Sequence, residues 1–183
     1  MGISPVALVV ALIPLGPVPA RVLSALAAAV ADTFCCSIES GYVTLPVPKS
    51  AYNPSRRQYW ADEVISALRS EVRSARGKVL AITEVDLYAP GLNFVFGQAE
   101  MCGRFALVSL HRLRPEFYGS PCDEDLLLAR ARTEAIHELG HTFGLGHCDD
   151  PHCVMFFSNS IADSDRKGCR LCPRCRSGLP AGD

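Results

Sequence analysis

The feature that most constrains this chain is the segment HELGHTFGLGH, which begins at His137 and ends at His147. It holds three of the chain's five histidines. On a helix, His137 and His141 are one turn apart on the same face, so both imidazoles can reach one ion. Gly144 and Gly146 follow, and a glycine there can adopt the left-handed conformation that ends a helix. The segment therefore predicts a helix whose end turns back and brings His147 to the same ion.

Three imidazole ligands are typical of a catalytic zinc site, in which the fourth position binds water. Zinc lowers the pKa of that water to about 7, so hydroxide is available at neutral pH. Glu138 lies beside His137 but is offset around the helix, so we expect its carboxylate to face the water. As a general base it would take the proton and pass it to the leaving amine. The full HExxHxxGxxH pattern predicts peptide hydrolysis, against the alternative of purely structural histidines.

The cysteines form a second pattern, since five of the nine fall in the last 36 residues. Cys148 follows His147 directly and Cys153 comes after four more residues, while Cys172 and Cys175 form a CxxC pair. Two close pairs of thiolates predict a closed tetrahedral zinc site that stabilises the C-terminal loop. Cys169 is an alternative ligand, because Cys169, Cys172 and Cys175 form two overlapping CxxC pairs. Disulfides are the other interpretation, favoured only in an oxidising compartment.

The combination of HExxHxxGxxH, an immediate cysteine, Cys-x-Met and CxxC resembles the archaemetzincins, a metzincin-like family of zinc proteins. The resemblance is strongest over His137–Cys175 and weaker at Ala51–Tyr59 and Thr83–Ala99. The spacing from Met155 to Cys172 is one residue shorter than the family's pattern. The resemblance implies two zinc ions per chain and assigns each residue a role. The catalytic zinc is held by His137, His141 and His147, the structural zinc by Cys148, Cys153, Cys172 and Cys175, Glu138 is the base, and Met155 is the Met-turn methionine beneath the imidazoles.

The resemblance also implies a compact α/β domain with a twisted sheet above an active-site cleft. In metzincins a sheet edge pairs with extended substrate, and Phe105–Leu110 is our candidate for that edge. The implied activity is zinc-dependent peptide hydrolysis, which is aminopeptidase-like in some members. The alternative is a zinc-stabilised peptide-binding module with little or no turnover. The intact Glu138 favours the enzyme, because binding alone does not need a base.

Apolar patterns predict alternating strands and helices, and hence a mixed, mostly parallel sheet with right-handed crossovers. The predicted strands are Val6–Ile13, Cys36–Glu39 and Val79–Thr83, followed by a hairpin from Asn93–Phe96 and Phe105–Leu110. The predicted helices are Pro19–Thr33, residues 57–72 ended by Gly77, and one capped by Ser120 that runs to about Phe143. We expect one domain over residues 1–178, with a zinc-binding subregion at 148–175 and a disordered tail at 179–183.

Charge and hydropathy limit the expected partners. Eighteen basic and nineteen acidic residues give a net charge of −1, which favours neither nucleic acid nor an anionic membrane as a partner. We interpret Val6–Ile13 as a buried strand rather than a signal peptide, because no basic residue precedes it. A cytoplasmic monomer that acts on peptides or small proteins is therefore expected. Lys167, Arg170, Arg174 and Arg176 are expected to form a solvated basic cluster.

Overall fold

A computed structural model describes residues 8–39 and 43–179. The strands of the described chain are β1 (Val9–Leu15), β2 (Ser37–Glu39), β3 (Tyr52–Asn53), β4 (Gln58–Trp60), β5 (Lys78–Thr83), β6 (Leu87–Tyr88), β7 (Gly97–Ala99) and β8 (Phe105–Ser109). The α-helices are α1 (Ala20–Phe34), α2 (Ala61–Glu71), α3 (Glu124–Thr142), α4 (Ile161–Lys167) and α5 (Pro173–Ser177). Short 3-10 turns lie at Lys49–Ala51, His111–Leu113 and Pro115–Tyr118.

The main sheet has the strand order β2-β1-β5-β8-β7. The first four strands are parallel to one another, and β7 pairs antiparallel with β8. The predicted mixed, mostly parallel sheet is therefore confirmed. A smaller sheet, β3-β4-β6, lies beside it and was not predicted, because its strands have only two or three residues each.

Helices cover both faces of the main sheet, so the domain has three layers. Side chains alternate across each strand: Val10 and Leu12 of β1 pack towards α1 and α3, whereas Ala11 and Ile13 pack towards α2. A strand buried on both faces must be apolar throughout. This is the physical reason why the run of aliphatic residues at the start of the chain forms a central strand.

The first strand differs from the prediction at both of its ends. Val6 and Ala7 lie outside the described residues, and the strand continues through Pro14 instead of ending before it. The Pro14 carbonyl accepts a hydrogen bond from Leu45 N–H at 3.0 Å, on the side where β2 has already ended. The proline nitrogen faces the same side, so its missing N–H breaks no bond to β5.

Two predicted helices begin three or four residues later in the structure than in the sequence pattern. Residues 58–60 pair as β4, so α2 begins at Ala61 and ends at Glu71. Gly77 instead forms the turn into β5, with φ +68° and its Cα packed against the Val9 carbonyl. Helix α3 begins at Glu124, and its N-cap is Asp123 rather than Ser120. The Asp123 side chain accepts a hydrogen bond from Leu126 N–H at 2.9 Å.

The predicted hairpin exists, but its strands are shifted. The first strand is Gly97–Ala99 rather than Asn93–Phe96, and it pairs with Phe105–Ser109. The prediction that Phe105–Leu110 forms a sheet edge is wrong, because β8 lies between β5 and β7. Every residue of β8 is buried, as an interior strand requires. The edge on this side of the sheet is β7.

None of the helices in the described part of the chain is long and apolar enough to cross a membrane. The predicted disordered tail begins at Leu179, and residues 180–183 of it lie outside the described residues. The division of the chain at residue 178 stays a prediction.

Candidate metal centres

The C-terminal half of α3 is the scaffold of the first site. All residues from Thr133 to Thr142 are buried, so this part of the helix passes through the core. After the helix, Gly144 adopts φ +89° and Leu145 N–H donates to the Gly140 carbonyl at 3.0 Å. This left-handed turn reverses the chain within a few residues. It brings His147 back beside the helix, as the sequence predicts.

The three histidine rings converge on one point. The Nε2 atoms of His137 and His141 are 3.1 Å apart, and the ring of His147 lies 4.9 Å from that of His141, centre to centre. The candidate ligand atoms of all three lie within 4.8 Å of one another. Two nitrogen ligands of a tetrahedral zinc ion are separated by about 3.3 Å, given Zn–N bonds of about 2.0 Å. The spacing of the first two nitrogens therefore fits a zinc ion.

Backbone carbonyls fix the orientation of two of these rings. The Nδ1 atom of His137 lies 2.7 Å from the Val154 carbonyl, and that of His141 lies 2.7 Å from the Leu145 carbonyl. A carbonyl only accepts, so each Nδ1 carries the proton and each Nε2 keeps its lone pair for a metal. Burial lowers the pKa of His137 and His141, and that of the more exposed His147, which keeps the imidazoles neutral.

Glu138 and His137 line the same cavity beside the three rings. The Glu138 side chain packs against the backbone of β7, because a Cβ added at Gly97 would lie only 2.6 Å from Glu138 Cγ. Burial raises the pKa of Glu138 well above its usual value, and the nearby Glu134 carboxylate adds to this shift. A cation held by the imidazoles would oppose the shift by favouring the charged carboxylate.

Met155 is completely buried against the helix that carries His137 and His141. Its sulfur packs against α3 where the helix has no side chain, since a Cβ at Gly140 would lie 2.5 Å from it. The carbonyl of Met155 accepts a hydrogen bond from Cys148 N–H at 2.9 Å. One backbone bond therefore links the turn that contacts His137 to the first cysteine of the second cluster.

The second cluster consists of the thiols of Cys148, Cys153, Cys172 and Cys175, which lie within 4.8 Å of one another. The Sγ atoms of Cys148 and Cys172 are 3.8 Å apart, far longer than the 2.05 Å of a disulfide bond. Two sulfurs on a tetrahedral zinc ion are separated by about 3.8 Å, given Zn–S bonds of about 2.3 Å. The donor spacing therefore fits a closed zinc site. Cys169 is exposed and is not part of this group.

The surroundings of the cluster favour the thiolate form of one cysteine and disfavour that of two others. A hydrogen bond from Cys175 N–H lowers the pKa of Cys172 to about 7, whereas burial raises the pKa of Cys153 and of Cys175. Four thiolates in so small a volume repel one another unless a cation compensates them. A soft divalent metal such as zinc supplies that compensation.

Two candidate functional residues, Lys167 and Glu134, were not predicted from the sequence. Lys167, expected in a solvated cluster, has a side chain that is 0% exposed, and its ammonium lies 3.2 Å from Glu134 Oε1. Both residues line the cavity that holds Glu138. Glu134 could have been found, because it precedes Glu138 by one helical turn and so shares its face. Nothing in the sequence of the polar helix α4 marks Lys167 as buried.

The cleft has aromatic walls on two sides. One wall is the segment Leu92–Gly97, and the other is Phe157–Asn159, where Phe157 lies against the His147 ring at 4.8 Å. The first wall is held by the small sheet region: Arg56 donates to the Leu92 carbonyl at 3.0 Å. This gives the stretch Ala51–Tyr59 a structural role. His111 lies in a 3-10 turn and packs against Phe117, away from the lining of this cleft.

Comparison with known proteins agrees with this geometry. The model of peptidase family M54 matches residues 38–180. The archaemetzincin of Methanocaldococcus jannaschii is 50% identical over 135 residues, which are 74% of this chain and 73% of the relative. That of Pyrococcus furiosus is 47% identical over 169 residues, 89% and 88% of the two chains.

Solved structures agree as well. The archaemetzincin of Archaeoglobus fulgidus has a TM-score of 0.80 at 34% identity, covering 94% of this chain and all of the other. That of Methanopyrus kandleri has a TM-score of 0.80 at 38% identity, covering 97% and 96%. A zinc-dependent peptidase of Methanocorpusculum labreanum reaches 0.83 at 30% identity, covering 93% and 100%. The chain therefore belongs to the archaemetzincins, peptidase family M54, and is a zinc metallopeptidase.

Proposed function

We propose that this chain hydrolyses peptide bonds at a zinc ion held by His137, His141 and His147, with Glu138 as the general base. The observation that carries the proposal is that the ligand nitrogens of three imidazoles lie within 4.8 Å of one another, and that one of these rings, that of His137, lines a cavity together with the buried Glu138. A purely structural metal site is closed by four protein ligands and needs no adjacent base.

Each residue of the site has a distinct role in the proposed reaction. When bound, zinc lowers the pKa of a coordinated water and polarises the substrate carbonyl. The Glu138 carboxylate takes the proton of the attacking water and delivers it to the leaving amine. The carbonyls of Val154 and Leu145 hold the rings of His137 and His141 in the ligating orientation.

We further propose that an extended peptide pairs with the β7 edge of the sheet and not with β8. β7 is the outer strand, and the adjoining residues Phe94–Gly97 line the cavity that contains Glu138. Backbone pairing of this kind orients a substrate whatever its side chains. We also propose that the chain cleaves peptides and small proteins, with an aminopeptidase-like preference for the end of the substrate.

A second zinc ion, held by Cys148, Cys153, Cys172 and Cys175, completes the proposal of two zinc ions per chain. It is supported by the four thiols that lie within 4.8 Å of one another, and by the 3.8 Å between Cys148 Sγ and Cys172 Sγ. Reduced thiols at this site favour a cytoplasmic location. We also propose that the chain acts as a monomer, without nucleic acid or membrane partners, in keeping with its balanced charge.

Replacement of the base tests the mechanism. Glu138→Ala should keep two zinc ions per chain and lose turnover by at least about a hundredfold, the usual range for a general base. Zinc is measured by elemental analysis, and cleavage is measured on a mixture of peptides. The matched control is Glu63→Ala, which removes an exposed carboxylate on α2.

Undiminished hydrolysis in Glu138→Ala would exclude the proposed role of this residue. A wild-type protein that holds two zinc ions but cleaves no peptide in the mixture would favour the peptide-binding module instead.

A further inference from the structure

The pair formed by Lys167 and Glu134 is unusual for its depth and its position. The two side chains are 0% and 3% exposed, and they join α4 to α3 directly behind the histidine site. Ser164 Oγ donates a hydrogen bond to Glu134 Oε1 at 2.8 Å, which satisfies the same carboxylate oxygen. A buried ion pair is costly to desolvate, and apolar residues of similar volume often give equal or greater stability. Its presence beside the cavity therefore calls for a role other than stability.

The contacts of the Lys167 ammonium indicate that role. It donates to the Phe156 carbonyl at 3.3 Å and lies 3.3 Å from Nδ1 of His137. The same Nδ1 is bound to the Val154 carbonyl at 2.7 Å. Val154 and Phe156 flank Met155, so the imidazole and the ammonium hold the two ends of one turn.

That turn packs against the helix that carries His137 and His141. Met155 packs against Gly140 of α3, between His137 and His141 in the sequence. If the Phe156 carbonyl lost its donor, the turn could move, and the carbonyl that orients His137 would move with it. A hydrogen bond to a metal-ligating imidazole from a group that does not itself touch the metal governs the direction of the ligand's lone pair and hence the affinity for the metal.

We infer that Lys167 and Glu134 are positioning residues, which act on the reaction through His137 and the Val154–Phe156 turn. Lys167 fixes the turn, and Glu134 provides the negative charge that lets an ammonium remain buried beside a metal ligand. This inference rests on the proposed function, since it takes His137 to be a zinc ligand. Neither residue needs to touch the substrate.

The test compares two ion pairs that join the same two helices. Arg130 and Asp165 also link α3 to α4, with Nε–Oδ1 at 2.7 Å, but they do not contact the histidines. The variants are Lys167→Met, the double change Glu134→Gln with Lys167→Met, and the control double change Arg130→Met with Asp165→Asn. Cobalt(II) is the probe, because sulfur-to-cobalt absorption distinguishes the cysteine site from the histidine site.

We expect both Lys167 variants to bind cobalt at the histidine site about 10–100-fold more weakly than the wild type. Their kcat should fall more than their KM rises, because the reacting groups, not the substrate contacts, are displaced. The Arg130/Asp165 control should lose thermal stability and keep its cobalt affinity and kcat. The double variant leaves no buried charge unpaired, so it stays folded even where Lys167→Met alone does not.

The inference is overturned if the double variant binds cobalt at the histidine site as tightly as the control pair does. Cobalt affinity requires no turnover. A wild-type protein that binds cobalt but cleaves no peptide would therefore defeat the proposed function while still testing this inference.

Discussion

Gly97 has no side chain, and the proposed base, Glu138, packs against its backbone. A Cβ there would lie 2.6 Å from Glu138 Cγ and 2.6 Å from the Leu107 carbonyl. Both distances are well inside van der Waals contact, so an alanine requires the Glu138 side chain to shift and the backbone of β7 or β8 to move as well. The backbone of Gly97 is not in the left-handed region, and an alanine would therefore suffer from crowding alone.

Gly97→Ala should displace the Glu138 carboxylate and lower kcat by up to about a hundredfold, the cost of a misplacement near 1 Å. Zinc content should stay at the wild-type value, because the histidines do not contact this position. The matched control is Gln98→Ala, the next residue of β7, whose side chain points to the other face. Equal steady-state kinetics in the two variants would contradict the proposed packing.

At the scale of single elements, the start of α3 shows how a cap is chosen. Ser120-Pro121 satisfies the local rules for a helix start, yet the helix begins four residues later with Asp123 as its N-cap. The preceding residues 115–118 form a 3-10 turn, and Gly119 with φ +76° ends it. The chain therefore still belongs to a turn where the sequence pattern places the cap.

Asp123→Ala should lower the free energy of unfolding by about 1 kcal/mol, because the N–H of Leu126 loses its acceptor. Ser120→Ala should leave it unchanged. Chemical denaturation of the two variants measures both values. A larger loss in Ser120→Ala than in Asp123→Ala would show that the cap has been assigned to the wrong residue.

For the whole molecule, the two proposed metal sites are joined through the backbone. His147 and Cys148 are adjacent, and Cys148 N–H donates a hydrogen bond to the Met155 carbonyl. We therefore expect a change in the cysteine cluster to displace the third histidine. The C-terminal region also packs into the main core through Val154, Leu171 and Cys175.

Cys172→Ser should reduce the zinc content to at most one ion per chain. It should also lower the free energy of unfolding by roughly several kcal/mol, because the binding energy of a structural zinc ion contributes to folding. Turnover should fall as well, because His147 loses its fixed neighbour. Elemental analysis and thermal unfolding measure the two effects. Cys169→Ser, at an exposed thiol outside the cluster, should match the wild type. Equal losses in both variants would instead implicate Cys169 as a ligand.

Structural features that depend on residues close together along the chain could be predicted from the sequence alone. Two histidines four residues apart share a helix face in any helix, and a glycine soon after permits the reversal that returns His147. Uninterrupted aliphatic runs identified β1 and β5 as strands, and β1 as a buried one, since a strand covered on both faces must be apolar throughout. The close spacing of the cysteines in two pairs along the chain likewise predicted a single metal-binding cluster.

Features set by distant parts of the chain were decided by the tertiary structure. Whether β8 is an edge depends on where β7 pairs, and the burial of Lys167 depends on how α4 packs against α3. The contact between Gly97 and Glu138 joins two segments about forty residues apart. Local patterns reflect hydrogen bonds between near neighbours along the chain, whereas edge position, burial and cross-chain contacts exist only after the layers have packed. The sequence therefore determined the candidate metal donors and the types of most elements, and packing alone decided which other groups surround those donors.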